Sequence, residues 1–193
     1  LLDHDRDEFT AVIRESEPYT SKLVPLRAAG ESDTAAFERI KAHIERGDRT
    51  GKEWRRAAVL HDRPRGGRIV GMVSLILSRG LEFRGHVAWW VAVDARRRGF
   101  GTEIARATLE YALAELPEGL GLHVVEAAVS LENTPGRRLA QAAGMTLREG
   151  EYLSHRIDGE WKRHEVWARE VAPAPSTIVS DARSSLIRDI RGE

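Results

Sequence analysis

The sequence predicts an α+β domain built on a mixed, mostly antiparallel sheet with flanking helices, and three features of its order predict it. Two amphipathic helical patterns come first. An almost wholly apolar strand, "GHVAWWVAVD", then runs through a glycine turn into a helix, and a second apolar strand, "GLHVVEAAVS", follows that helix. The chain then reads as a closing hairpin around Asp158-Gly159.

Composition bounds the class. The 193 residues suit one domain, with 41% hydrophobic and 31% charged residues, an ordinary soluble balance. Thirty basic residues offset thirty acidic ones, so no net charge argues for nucleic acid or membrane as a partner. Cysteine is absent, which excludes a thiol nucleophile, disulfides and cysteine zinc sites. No run approaches the roughly 18 apolar residues of a membrane span. The opening "LLDHDRDEF" lacks the basic-then-apolar layout of a secretory signal. A cytoplasmic location is expected.

The elements follow in order. "DHDRDEFTAVIRES" is a helix with Phe9, Val12 and Ile13 on one face and acids in its first turn. The segment "EPYTSKLVPLRAAGE" reads as loop or irregular helix. A second helix carries Phe37, Ile40 and Ile44 inward, with Ser32 as its cap and Gly47 as its stop. "EWRRAAVLHD" and "RIVGMVSLILSR" are strands joined by the turn "DRPRGG". "GTEIARATLEYALAEL" is a helix with Ile104, Ala105, Thr108, Leu109, Tyr111 and Ala112 facing inward, closed by Pro117. "TPGRRLAQAAG" is a short helix opened near Pro135 and ended at Gly144. One domain spans 1–171, and residues 172–193 read as a linker and tail.

The junction "ARRRGFGT", residues 95–102, raises the functional question. A helix N-terminus leaves backbone N–H groups without partners and carries partial positive charge, so a phosphate fits there if the chain approaches closely. Gly99 and Gly101 remove Cβ atoms, Thr102 adds a hydroxyl, and Arg96, Arg97 and Arg98 surround the turn with charge. A solvated basic loop is the plainer alternative. A P-loop needs a lysine that this turn lacks. A dinucleotide fingerprint wants a small residue where Ile104 stands and an acid after the next strand, for which Glu126 is a loose candidate.

The run Val93-x-x-Arg96-x-x-Gly99-x-Gly101 resembles the acetyl-CoA signature of the GNAT superfamily of N-acetyltransferases, Arg/Gln-x-x-Gly-x-Gly/Ala. "EAAVSLENTPGRRLAQAAGMTLREGEYL" resembles the Asn-containing segment of the RimJ/RimL-like branch, with Asn133 at the asparagine position, Gly144-Met145 at the Gly-Phe position and Glu149-Gly150 following. The strand "GHVAWWVAV" and the hairpin "HRIDGEWKRHEVWARE" resemble that branch too, so the likeness covers about residues 50–170.

The resemblance implies a parallel pair, strands 87–94 and 122–129, that splays apart around the pantetheine arm of acetyl-CoA. Val91 and Val93 then offer backbone groups to the arm, with an amide near Val91 facing the thioester carbonyl. The amides from Arg97 or Arg98 through Phe100 to Thr102 hold the pyrophosphate, and Asn133 bonds the arm from the other side. No metal is required. The acceptor is a primary amine, on a peptide or a small molecule, and a homodimer is compatible with the family.

Deprotonating the amine calls for a base. His86 is the first candidate, since an imidazole titrates near about 6.5; its plain alternative is a solvent-facing strand histidine. Glu126 is the second, sharing a face with Val124 and Ala128, where a structural polar role competes. Alternation puts Trp89 and Trp90 on opposite faces, so that at most one lines the cleft and core packing is expected of both. Trp54, Trp161 and Trp167 are expected to pack as well, while His43 and the first two helices wall the acceptor. The family's proton donors for the leaving thiolate fall on Gly136 and Ala140 here, which carry none, leaving Tyr152, Thr134 or Ser130. Two rivals follow: a non-catalytic acyl-CoA-binding module and a dinucleotide-binding oxidoreductase.

Overall fold

The computed structural model describes residues 1–21, 23, 26–61, 67–78, 83–157 and 159–171. Helices α1 (Arg6–Thr20) and α2 (Asp33–Thr50) precede strands β1 (Glu53–Leu60), β2 (Arg68–Ser78) and β3 (Arg84–Val91). Then come α3 (Phe100–Leu113), β4 (Val124–Ser130), α4 (Thr134–Ala142), β5 (Thr146–Ile157) and β6 (Glu160–Glu170). The strands form one sheet in the order β1-β2-β3-β4-β6-β5. Every neighbouring pair is antiparallel except β3 and β4.

Strand alternation builds a core on each face. Val73, Leu75, Val87, Val125, Ala127, Val129 and Trp167 face α3 and α4, where Ala105, Leu109 and Ala140 meet them. Ile69, Met72 and Trp90 face α1 and α2, where Phe9 and Phe37 are fully buried with ring centroids 6.0 Å apart. Each such ring contributes roughly 1.5–3 kcal/mol by leaving water. Among the described residues, no helix is long and apolar enough to cross a membrane.

Several local expectations change. Helix α1 continues through Pro18 to Thr20, where a loop was expected, and Ser21 N–H still donates to the Glu17 carbonyl. Ser32 caps α2, its Oγ accepting from Ala35 N–H, but Gly47 does not stop the helix. It is buried inside α2, where a Cβ would come within 2.5 Å of the Glu53 carbonyl oxygen. The stop is Gly51, whose φ of 62° is left-handed. Tyr111 is exposed at the flank of α3, its ring 5.4 Å from that of Trp54. Helix α3 ends at Leu113, short of Pro117. Trp161 is 72% exposed on the β5–β6 hairpin, whereas Trp167 packs in the core. The turn at 62–66, Asp158 and the segment 172–193 lie outside the described residues.

Candidate functional site

The site begins where the parallel pair ends. Among the described residues β3 and β4 pair at three positions, Arg84↔Val124, Gly85↔Val125 and His86↔Glu126, and past His86 the strands diverge. On the far side of β3, Ala92 N–H donates to the Val70 carbonyl at 2.9 Å. Alternation therefore turns the backbone groups of Ala88 and Trp90 toward β2 and those of Trp89 and Val91 into the fork. The fork thus offers main-chain donors and acceptors without a strand opposite.

At the wide end of the fork stands the start of α3. Gly99 is its N-cap with φ 86° and ψ −16°, and Glu103 N–H returns to the Gly99 carbonyl at 3.1 Å. Among the described residues, no carbonyl accepts from the amides of Gly99, Phe100, Gly101 and Thr102. The two glycines serve differently. A Cβ on Gly99 would meet nothing within 4 Å, so that position needs glycine for its left-handed φ. At Gly101 a Cβ would lie 2.7 Å from Leu139 Cδ1 and 3.2 Å from Val91 Cγ2, so the need there is room between α3, α4 and β3.

These edges enclose a cavity of about 400 Å³. It brings together Val91, Arg96, Arg97, Gly99, Gly101, Thr102 and Asn133 from the expected set, and adds Trp89, Trp90, Tyr19, Thr20 and Leu23. Both tryptophans border it, because the fork bares the edge of their own strand. Their rings leave on opposite faces, Trp90 toward Phe9 at 6.5 Å and Trp89 toward the α3 side. Asn133 Oδ1 accepts from Gly136 N–H at 3.0 Å and so caps α4, which leaves its Nδ2 as the group free to reach a ligand.

Three of the residues expected to hold the cofactor are not brought to the cavity, and neither His86 nor Glu126 lines it. Val93 lies in a single 3₁₀ turn, Val93–Ala95, and its N–H donates to Ser16 Oγ at 3.2 Å. The Arg98 guanidinium sits 5.0 Å over the ring of Phe100. Phe100 instead lines a second hollow of about 290 Å³ between β1 and α3. Sequence reasoning took the right parity along β3 but stepped forward from Val91 to Val93, past the end of the strand, instead of back to Trp89. Ser16 carried no signal, since its partner is 77 residues away.

His86 and Glu126 meet across the last paired position before the fork. The imidazole is about half exposed, at 48%, while the carboxylate is 8% exposed. His86 Nδ1 lies 3.7 Å from Glu126 Oε2, too long for a direct hydrogen bond and a span that water can bridge. Glu126 Oε1 is paired with the Arg84 guanidinium and with Arg148 Nη1 at 3.1 Å. A carboxylate so engaged orients its neighbours. On the same face His155 stacks edge-on against His164, centroids 4.8 Å apart, and burial followed by the nearby His164 and His86 lowers its pKa. His43 lies toward β1 instead, where burial and then Arg55 lower its pKa.

A family model for the acetyltransferase (GNAT) domain matches residues 1–146. The chain belongs to the GNAT acetyltransferases. Family members use acetyl-CoA as co-substrate, which agrees in chemistry with a fork edged by free peptide groups and a helix N-terminus. Solved structures that share this GNAT fold include RimJ from Mycobacterium smegmatis in complex with CoA-disulfide, at 20% identity and TM-score 0.76, covering 100% of this chain and 88% of that one. The ribosomal alpha-N-protein acetyltransferase RimL in complex with coenzyme A gives 10% and 0.73, with 89% and 91% covered. The microcin self immunity acetyltransferase MccE in complex with acetyl-CoA and AMP gives 14% and 0.69, with 87% and 88% covered. At these identities the likeness is one of fold. No curated protein sequence matches the chain.

Proposed function

We propose that this GNAT domain transfers the acetyl group of acetyl-CoA directly to a primary amine in a ternary complex. The acceptor is a protein N-terminus or a small-molecule amine, and a cytoplasmic location goes with this reading. One observation carries it: the cavity joins the partnerless amides of Gly99, Gly101 and Thr102 at the start of α3 to the bare edge of β3 at Trp89 and Val91. Coenzyme A has a pyrophosphate for the first and a peptide-like pantetheine arm for the second. It supplies an activated acyl thioester; the protein's groups do the rest.

The amides of Gly99 to Thr102 hold negative charge at the positive end of the helix dipole. The N–H groups of Trp89 and Val91 face the fork and are the donors available to a carbonyl oxygen there, a contact typically worth a few kcal/mol as charge develops. His86 takes the acceptor's proton. An alkylammonium with a pKa near about 10 is almost wholly protonated at neutral pH, so a base at the closed end of the fork raises the reactive fraction. Glu126, fixed by Arg84 and Arg148, steadies the Nδ1 side of that imidazole and leaves Nε2 outward.

A second reading is a binding module that holds acyl-CoA without turnover. It draws on Gly136 and Ala140, which carry no proton donor; Ala140 is fully buried in the core. A thiol with a pKa near about 8.5 leaves readily, so the transferase needs no dedicated acid. Calorimetric titration with CoA, then thiol release from acetyl-CoA against N-terminal peptides, polyamines and amino sugars, separates the readings. Binding with amine-dependent thiol release supports the transferase, and binding without release on any amine supports the module. Failure of CoA to bind at millimolar concentration overturns both.

A further inference from the structure

The end of α1 is joined to the phosphate turn at two points that the sequence motif does not contain. Ser16, fully buried, accepts the N–H of Val93 through its Oγ. One turn later, the ring of Tyr19 lies 4.9 Å beneath the guanidinium of Arg96. Tyr19 and Arg96 both line the cavity, together with Thr20 and Leu23 from the same end of α1.

Arg96 and Arg97 both line the cavity, and Arg96 also lies over an aromatic ring. Arg98 is laid over Phe100, outside the cavity. Among the described residues no carboxylate pairs with Arg96, whereas Arg14, Arg27, Arg39, Arg84 and Arg148 each have at least one. Burial lowers its pKa from the ordinary value, so the guanidinium is partly withdrawn from water with an aromatic face as its main support. A cation held this way keeps its N–H groups pointing away from the ring and is open to an anion. The partnerless amides of α3 border the same cavity.

We infer that Tyr19 is a positioning residue for cofactor binding: its ring fixes the Arg96 guanidinium at the cavity wall, where it pairs with the pyrophosphate of coenzyme A. The inference rests on the acetyl-CoA reading above and adds to it a residue from α1. The ring face performs the role, so the phenolic oxygen is dispensable. Because Tyr19 is 56% exposed, removing its side chain leaves the core untouched.

The test is a double-substitution cycle read by calorimetric titration with CoA on the full chain, with thermal melts alongside. Loss of the stack in Y19A weakens CoA binding about fivefold, within the range of a partly desolvated cation–aromatic contact. R96A weakens it about tenfold or more, as for a charge-assisted contact to phosphate. Y19F binds as the parent does. The double variant Y19A/R96A binds no more weakly than R96A, since Tyr19 acts through Arg96. Salt weakens parent binding more steeply than R96A binding. Additive losses in the double variant, or a Y19A affinity equal to the parent's, overturn the inference while CoA binding by the parent keeps the acetyl-CoA reading intact. A parent that does not bind CoA overturns that reading instead. A fall in melting temperature matching the loss of affinity in Y19A and absent in Y19F also counts against the inference, since it marks a packing role.

Discussion

Replacing Gly99 by alanine isolates backbone conformation from crowding at the start of α3. An added Cβ meets nothing within 4 Å, so no steric contact resists it. The cost comes from holding φ at 86° with an L side chain, about 1–2 kcal/mol. For a chain of this size each kcal/mol lowers the melting temperature by about 2–4 °C. The expected drop is therefore about 2–8 °C if the turn keeps its shape. If it relaxes toward negative φ, the amides of Gly99 to Thr102 re-aim, and CoA affinity falls about tenfold, near 1.4 kcal/mol. Gly150 supplies the control: its φ is 82°, a Cβ there also meets nothing within 4 Å, and it lies in β5 away from the cavity. Gly150→Ala should lose comparable stability and bind CoA normally. Melting curves and calorimetric titrations on both variants are sufficient. Gly99→Ala with an unchanged melting temperature, as a relaxed turn would give, yet binding CoA as tightly as the parent would refute the assignment of this turn to the pyrophosphate.

Three further outcomes are expected. Gly101→Asp sets a Cβ against Leu139 and Val91 and a carboxylate at the proposed pyrophosphate site, so CoA affinity falls about tenfold or more; an unchanged titration removes Gly101 from the site. His86→Ala lowers kcat by about ten- to hundredfold with CoA affinity unaltered, and an unchanged rate with the best acceptor removes His86 as base. Glu31, held by Arg39 to a pKa of about 2 against an ordinary 4.5, binds its proton less readily folded than unfolded. Its contribution is complete above about pH 4.5 and disappears as pH falls toward about 2. The gap in melting temperature between the parent and Glu31→Gln should narrow through that window, and a constant gap contradicts the ion pair.

The parts of this molecule that were legible in the chain are those governed by local rules. Apolar runs placed the strands, Ser32 marked a cap, and glycines after an apolar strand marked the turn that opens α3 beside the cavity. Misreadings arose where the deciding partner is distant in sequence. Gly47 looked like a helix stop because glycine usually is one, but the carbonyl of Glu53, brought back by β1, needs the space. Val93 looked like a ligand-facing backbone because the end of β3 at Val91 and the 3₁₀ turn after it carry no local signal. Trp161 looked like packing because its neighbours alternate, yet no element covers that side of the hairpin among the described residues. His86 and Glu126 are 40 residues apart in the chain, and only the register of a parallel pair makes them neighbours.

The short length of that pairing has a mechanical consequence. The sheet amounts to two three-stranded halves, β1-β2-β3 and β4-β6-β5, joined by a three-rung seam. The ionic lattice of Arg84, Glu126 and Arg148 ties β3, β4 and β5 together at the closed end, as a rivet does at the apex of a wedge. A guest lying along the open part would supply the missing rungs and lace the halves together. Hydrogen exchange in the unladen protein should then be fastest along the inner margins of the wedge, and slow there when coenzyme A is added.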